Sequence, residues 1–128
     1  MAGSTTLDGS AWRLEALIED GKRVPVLADT EVTLEFSGKQ LGGSAGCNRY
    51  NAAYSADGGQ LSVTMPRQTR MACLSPAGVM EQEQRFLSAL QAVGAYRLDG
   101  DRLELLDASG TAICIFTRAG RAPTSRPM

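Results

Sequence analysis

The chain has 128 residues, of which 43% are hydrophobic and 21% are charged, and its formal net charge is −1. This length and composition indicate one globular domain that buries a core without obligatory cross-links. The balanced charge lacks the basic face of a nucleic-acid-binding protein, and aromatic residues make up only 5%, so we expect no nucleic-acid partner. No apolar run approaches the roughly 20 residues of a membrane-spanning helix, so we expect no membrane span.

The sequence contains no histidine and three cysteines. The absence of histidine excludes Cys-His and Ser-His-Asp catalysis, and it excludes any zinc site with a histidine ligand. The sequence also lacks a phosphate loop, a dinucleotide-binding fingerprint and a calcium-binding loop. We therefore predict a protein that is not an enzyme and that binds neither a metal nor a cofactor.

The first half of the chain is predicted to form short strands separated by tight turns. Alternating or extended patterns place these strands at 12–17, 24–26, 32–36, 40–45, 51–55 and 61–63. Gly46 is predicted to have a positive φ angle, which residues with a side chain avoid. The turn Asp57-Gly58-Gly59 predicts a hairpin between the last two of these strands.

From Ser75 onward the pattern changes to helical spacing. Ser75 is the predicted N-cap, Pro76 the first helical residue and Gly94 the residue that stops the helix. The apolar face is predicted to contain Val79, Phe86, Leu87, Leu90 and Val93, and the solvent face Glu81, Gln82, Gln84 and Arg85. Glu81 and Glu83 are two residues apart and face different directions, so they are not expected to form an acid/base pair.

Three further strands are predicted at 96–98, 103–105 and 112–116. About eight short strands with one late helix predict a mainly β protein, namely a small antiparallel barrel that the helix plugs or flanks. Its expected inward positions are bulky and favour a filled interior: Leu34, Phe36, Leu61, Val63, Leu103 and Leu105. We expect a domain over 7–118, with a disordered N-terminal extension at 1–6 and a disordered tail at 119–128.

Two cysteines lie in distinctive local contexts, Cys47 after Gly46 and Cys73 at the end of Thr69-Arg70-Met71-Ala72-Cys73. A disulfide between them is the leading interpretation and would stabilise the fold by about 3–4 kcal/mol. Two reduced, buried thiols and a redox-sensing pair remain as alternatives. Cys114 lies between two isoleucines and is expected to pack in the core, with a neutral position on the solvent side of its strand as the alternative.

Polar residues beside these cysteines are the remaining candidates for binding. Asn48 is predicted to bond backbone groups of its own loop, with a ligand role as the alternative. Arg67 and Arg70 flank the second motif, where either side chain could hold an anion through two hydrogen bonds. We expect instead that they pair with Asp or Glu side chains of a neighbouring strand.

Three motifs together resemble the META/HslJ domain family: Leu7-Asp8-Gly9-Ser10-Ala11-Trp12-Arg13-Leu14, Gly46-Cys47-Asn48 followed by Tyr54, and Thr69-Arg70-Met71-Ala72-Cys73. The resemblance extends from Leu7 to Arg118. The residues that carry it, and to which it assigns a structural role, are Trp12, Gly46, Asn48, Tyr54, Thr69 and Arg70.

The resemblance implies a barrel of lipocalin-like topology with a helix inserted before the last strands. It also implies a relationship to small bacterial envelope or lipid-anchored proteins and to some eukaryotic ones, a family associated with heat shock, novobiocin tolerance, motility and virulence. No enzyme activity is established for that family. Because the chain shows no signal peptide and no lipid-attachment cysteine, a cytoplasmic location is the alternative to the periplasm or envelope.

These observations lead to one functional hypothesis and two alternatives. The leading hypothesis is a non-enzymatic, stress- or envelope-associated domain that is monomeric and binds an unidentified protein partner. The first alternative is a carrier that holds a small apolar ligand inside the barrel. The second is a thiol switch in which Cys47 and Cys73 cycle between redox states.

Overall fold

The computed structural model describes residues 7–28, 30–74 and 76–119. Within these ranges the elements are, in chain order, β1 (Ala11–Glu19), β2 (Lys22–Pro25), β3 (Thr33–Ser37), β4 (Gln40–Ser44), β5 (Arg49–Asp57), β6 (Gln60–Val63), β7 (Arg67–Gln68), α1 (Val79–Ala92), β8 (Val93–Asp99), β9 (Arg102–Asp107) and β10 (Ala112–Arg118). The N-terminal extension at 1–6, the tail after Ala119 and the predicted N-cap Ser75 lie outside the described residues.

Eight of these strands close into an antiparallel barrel in the order β1-β3-β4-β5-β6-β8-β9-β10. The ring closes where β10 pairs with β1, with Leu14 opposite Phe116. The two remaining strands lie beside the ring, β2 along the second half of β1 and β7 along the first half of β5. The predicted fold class, a mainly β barrel with one helix before the last strands, is confirmed.

Side chains fill the interior of the barrel. Alternation along the strands turns bulky residues inward, and the largest of them have no exposed surface: Trp12, Leu34, Leu103, Leu105 and Phe116. Helix α1 adds Phe86 and Leu90 to the same core. The ring of Phe86 contacts two others edge-on, Tyr50 at a centroid distance of 5.4 Å and Phe116 at 6.3 Å. The helix is thus an integral part of the core.

Both ends of the helix differ from the prediction. Gly78 has a φ angle of 88°, a left-handed conformation that a helix cannot include, so α1 begins after it and Pro76 lies outside the helix. At the other end, Val93 is already extended and Gly94 belongs to β8. A Cβ atom at Gly94 would lie 3.0 Å from the Cα atom of Ala108, so the close approach of β8 to the turn after β9 explains this glycine.

The solvent face of the helix was also predicted wrongly at one residue. Gln82 is buried, with 8% of its surface exposed. Its Oε1 accepts a hydrogen bond of 2.8 Å from the backbone N–H of Leu27, and its Nε2 donates to the Thr30 hydroxyl at 3.1 Å. The loop before β3 therefore covers this part of the helix, which a helical repeat alone does not reveal.

Candidate functional site

A disulfide joins the two cysteine motifs. Cys47 follows β4 and Cys73 lies in the loop before α1, and their Cα atoms are 6.0 Å apart across a separation of 26 residues. The predicted disulfide is confirmed. Gly46 has a positive φ angle of 120°, as predicted. The next residue, Cys47, forms the bond to Cys73.

Asn48 lies at the centre of the site and is buried, with 2% of its surface exposed. Its Nδ2 donates to the Met71 carbonyl at 3.0 Å and to Oε2 of Glu83 at 2.7 Å. Its Oδ1 accepts from the Met71 backbone N–H at 2.6 Å and from the Thr69 hydroxyl at 2.8 Å. The amide thus uses its full hydrogen-bonding capacity, and it links the Gly46-Cys47-Asn48 turn to the Thr69–Cys73 motif.

Glu83 completes this network from the helix and was not predicted from the sequence. Its side chain is 1% exposed. Oε1 accepts hydrogen bonds from the backbone N–H groups of Cys47 at 3.0 Å and Asn48 at 2.7 Å, while Oε2 accepts one from Nδ2 of Asn48. The signal was present, because Glu83 lies four residues after Val79 and three before Phe86, within the apolar stripe of the helix.

The chemistry of this network is structural. In the part of the chain that the structure describes, every buried polar side-chain atom has a hydrogen-bond partner. Cys114 is fully buried, and burial raises the pKa of its thiol far above the ordinary value, which disfavours the reactive thiolate. Within the described ranges, no group of three or more Cys, Asp or Glu side chains is placed to hold a metal ion. Helix α1 is neither long nor apolar enough to cross a membrane.

Two of the predicted motif residues lie away from the site. Trp12 is buried at the seam between β1 and β10, where its Nε1 donates to the Ser10 hydroxyl at 2.8 Å and the Arg118 guanidinium lies 4.5 Å from its ring centroid. Tyr54 lies further along β5 and contacts the ring of Phe36 edge-on at a centroid distance of 4.9 Å. Both residues contribute to the barrel, whereas Gly46, Asn48 and Thr69 surround the disulfide.

The chain between β6 and α1, residues 64–74, runs antiparallel along one edge of β5, and we call it the β6–α1 segment. Backbone bonds run from Thr64 N–H to Ala53 O at 2.9 Å and from Thr69 N–H to Arg49 O at 3.0 Å. The short strand β7 lies between them, and Asn48 and the disulfide hold the far end. The segment is therefore fixed along its length although it has little regular structure.

This segment carries the large hydrophobic side chains that the described residues expose. Met65 is 74% exposed, Met71 is 55% exposed and Leu74 is 94% exposed. Folding would normally bury residues of this kind, and an isolated one on a surface needs no explanation. Here all three lie within a single short segment that the fold holds in place, which makes it the candidate interaction surface.

A groove lies on the outer face of the barrel beside this segment. Its floor is Gly42 and Gly43 of β4, and its volume is about 570 Å³. Strand register places Glu35 opposite Gly42, Gly42 opposite Asn51, and Asn51 opposite Arg67, so these four residues form one row across four strands. We call this feature the glycine-floored groove.

Two arginines line the groove, and a third lies beside it. Arg49 and Arg67 line it, and Arg70 follows Thr69, another of its lining residues. Among the described residues, none of these arginines forms an ion pair. The expectation that Arg67 and Arg70 pair with a neighbouring acid is therefore wrong for the described part of the chain, because the nearest strands carry mostly glycine and uncharged side chains at these positions.

Fold and site together define a small closed β-barrel domain in which one helix enters the core and a disulfide fixes an exposed segment against the barrel. Comparison with known families then identifies the group. The chain belongs to the META domain family, whose model matches residues 5–120, as the motif resemblance predicted. No curated protein sequence matches the chain.

Solved structures show the same fold. A protein from Burkholderia xenovorans, studied by NMR, is 29% identical with a TM-score of 0.73, and the match covers 90% of this chain and 85% of that one. A second NMR structure is 25% identical with a TM-score of 0.65, covering 91% and 95%. A DUF4847 family protein from Bacteroides vulgatus is 13% identical with a TM-score of 0.59, covers 91% and 96%, and supports the fold alone.

Proposed function

We propose that this META domain is a non-enzymatic binding domain that recognises another protein through the β6–α1 segment. The observation that carries the proposal is the exposure of Met65, Met71 and Leu74 on one segment that the fold holds in place. Apolar surface that a folded protein leaves exposed in patches marks protein interaction sites, and this segment carries all three large apolar side chains that the described residues expose.

The way in which the segment is held supports this role. Pairing with β5, the amide of Asn48 and the disulfide restrict the segment before any partner arrives. A restrained segment loses less conformational freedom on binding, which favours affinity. Methionine side chains adapt to irregular apolar surfaces, and full burial of a side chain of this size contributes about 1.5–3 kcal/mol.

The interior of the barrel gives less support to the carrier alternative. Phe86 and Leu90 of the helix fill the space that a ligand would need, and they have no exposed surface. The glycine-floored groove, with a volume of about 570 Å³, lies on the outer face and not inside the barrel. The buried polar groups give little support to an enzymatic function, because Asn48 and Glu83 form their hydrogen bonds with other groups of the protein.

A stress- or envelope-associated role belongs to the same proposal. The disulfide supports an envelope location over a cytoplasmic one, because disulfides persist mainly in oxidising compartments. Counting free thiols in protein taken directly from cells, quenched in acid and then alkylated under denaturing conditions so that buried Cys114 also reacts, tests this part. One alkylated thiol per chain is expected in an oxidising compartment, since Cys114 is the free cysteine among the described residues.

Site-specific photo-crosslinking in living cells tests the binding role. A photo-reactive benzoyl-phenylalanine replaces Leu74, and a matched control carries it at Asp99, which is exposed at the end of β8. We expect a discrete adduct from position 74 that position 99 does not give. The identified partner, once purified, should bind about tenfold more weakly to the Met71→Ser/Leu74→Ser variant. Adducts of equal yield from both positions would contradict the proposal.

A further inference from the structure

We infer that the partner of the β6–α1 segment is an acidic stretch of protein chain, and that Arg49 and Arg67 receive its carboxylates in the glycine-floored groove. This assignment rests on the proposed binding function and adds the chemistry of the occupant. Its basis is a difference between two groups of arginines in the same domain.

The structure describes nine arginines, and six of them form ion pairs with Asp or Glu. Those six are Arg13, Arg23, Arg85, Arg97, Arg102 and Arg118. The three without an ion pair among the described residues are Arg49, Arg67 and Arg70, and all three lie on β5 or on the segment beside it. In a chain of net charge −1, the arginines without an ion pair among the described residues are thus gathered on this one face.

The geometry of the groove suits an approaching chain. Arg49 and Asn51 are exposed residues on alternate positions of β5, and Arg67 lies opposite Asn51 on β7, so the two guanidinium groups belong to the same outer face. Gly42 and Gly43 leave the floor without side chains. The backbone leaves no room for a larger residue at either position, since a Cβ atom at Gly42 would lie 2.7 Å from the Tyr50 carbonyl and one at Gly43 would lie 2.6 Å from the Thr33 carbonyl. Guanidinium groups bind carboxylates through paired hydrogen bonds.

The charge around the groove favours an acidic occupant despite one opposing residue. Glu35 lines the groove on the β3 side, while Arg49 and Arg67 line it on the other and Arg70 lies just beyond. The local charge is therefore positive in a slightly acidic protein. Opposite charges across an interface steer the encounter and exclude partners of like charge.

A protein chain fits these features better than a membrane or a free anion does. The groove is concave, and Met65 lies two residues before Arg67, so acidic and apolar positions of one extended chain could be contacted together. Stable electrostatic attachment to anionic lipid typically needs a cluster of about 4–8 basic residues. A free anion would make no use of the apolar side chains.

Defined peptides test the assignment. The probes are fluorescein-labelled peptides of about ten residues, which span roughly 33 Å when extended. One peptide alternates Glu with Leu, and two matched peptides carry Gln or Lys in place of Glu. Binding to the full chain is measured by fluorescence anisotropy at low ionic strength. We expect the Glu peptide to bind about tenfold more tightly than the Gln peptide, with the Lys peptide weakest.

Matched variants assign the preference to the groove. Arg49→Gln/Arg67→Gln should abolish the preference for the Glu peptide, whereas Arg97→Gln, which changes a paired and exposed arginine on β8, should keep it. Both arginines of the double variant are exposed and form no ion pair with the described residues, so the thermal midpoint of the variant should stay near that of the native chain, and circular dichroism checks this. Arg49→Lys/Arg67→Lys should also weaken the binding of the Glu peptide, because lysine cannot form the bidentate contact with a carboxylate.

The outcomes separate this inference from the proposed function. Equal binding of the Glu and Gln peptides, both weakened by Met71→Ser/Leu74→Ser, would overturn the acidic occupant and retain the binding surface. Absence of any peptide preference together with absence of a crosslink at Leu74 would overturn both. Arginine-dependent binding to phosphatidylglycerol vesicles without a preference for the Glu peptide would replace the protein partner with a membrane and overturn the inference.

Discussion

Glu83 and Asn48 are joined by two hydrogen bonds, one from the Asn48 backbone N–H to Oε1 at 2.7 Å and one from Asn48 Nδ2 to Oε2 at 2.7 Å. The two residues are 35 positions apart, so this contact ties the helix to the turn that carries the disulfide. The same turn positions Met71 through the amide of Asn48. The arrangement of the exposed segment therefore depends on a carboxylate buried beneath it.

Replacement of Glu83 by alanine should destabilise the domain strongly. The change leaves the N–H groups of Cys47 and Asn48 without their acceptor, and each buried group that loses its partner costs about 1–3 kcal/mol. We expect the free energy of unfolding to fall by about 3 kcal/mol in urea titrations. Gln84→Ala, an exposed change on the same helix, should stay within about 0.5 kcal/mol of the native chain. Equal effects of the two changes would contradict the structural role of Glu83.

Asn48→Asp should be destabilising in a manner that depends on pH. The new carboxylate loses the donor of two hydrogen bonds and faces Oε2 of Glu83 at hydrogen-bonding distance. Like charges this close disfavour double ionisation, so the new group should have its pKa raised in the folded state. The loss of stability relative to the native chain should therefore be smaller at about pH 4 than at about pH 7. Urea unfolding of both proteins at the two pH values measures this, and a loss that does not change with pH would refute it.

Much of the fold was accessible from the sequence because it rests on local periodicity. The alternation of Leu34 and Phe36 with polar residues predicted β3, and helical spacing of Phe86 and Leu90 predicted α1. Strand β7 was not predicted, since its two residues are polar and exposed and only their pairing with β5 makes them a strand.

The site could be predicted only in part from the sequence, because several of its contacts join residues that are distant in the chain. The two cysteine motifs indicated the disulfide. Asn48 was expected to bond backbone groups of its own loop, whereas its amide bonds the backbone of Met71, 23 residues further along the chain. Glu83 could have been identified as a polar residue in an apolar stripe, yet its partner comes from a distant turn and periodicity contains no such information. That Arg67 forms no ion pair within the described ranges depends on which strands lie beside it, and strand neighbours are a property of the closed barrel.

Loss of the disulfide should destabilise the domain without abolishing its native contacts. A loop of 26 residues corresponds to about 3.5 kcal/mol on the chain-entropy model. Cys47→Ser/Cys73→Ser should lower the free energy of unfolding by about this amount, while the bonds between Asn48 and Met71 still hold the segment. Cys114→Ala serves as the control that removes a cysteine and no cross-link. A double variant as stable as the native chain would show that the disulfide constrains neither the folded nor the unfolded chain.

The stability of the domain should decrease at alkaline pH because two buried acids resist ionisation. Burial raises the pKa of Tyr50, with further contributions from Cys114 and Glu35 that Arg49 opposes, and its hydroxyl donates to the Thr33 carbonyl at 2.6 Å. Burial also raises the pKa of Cys114. In the unfolded chain these groups ionise near 9.0 for cysteine and 10.0 for tyrosine, so above those values the unfolded state loses protons that the folded state keeps.

The contribution of each group to stability is complete below its unfolded pKa and decreases as the pH rises toward its folded pKa. Each group adds a slope of at most about 1.4 kcal/mol per pH unit. Urea unfolding from about pH 7 to about pH 11 should show a decline that begins near pH 9 and steepens near pH 10. Cys114→Ala should remove the first part of the decline and Tyr50→Phe most of the second, since the partly exposed Tyr54, whose pKa is also raised, accounts for a smaller remainder. Unchanged slopes in both variants would mean that neither group titrates differently in the folded and unfolded chains.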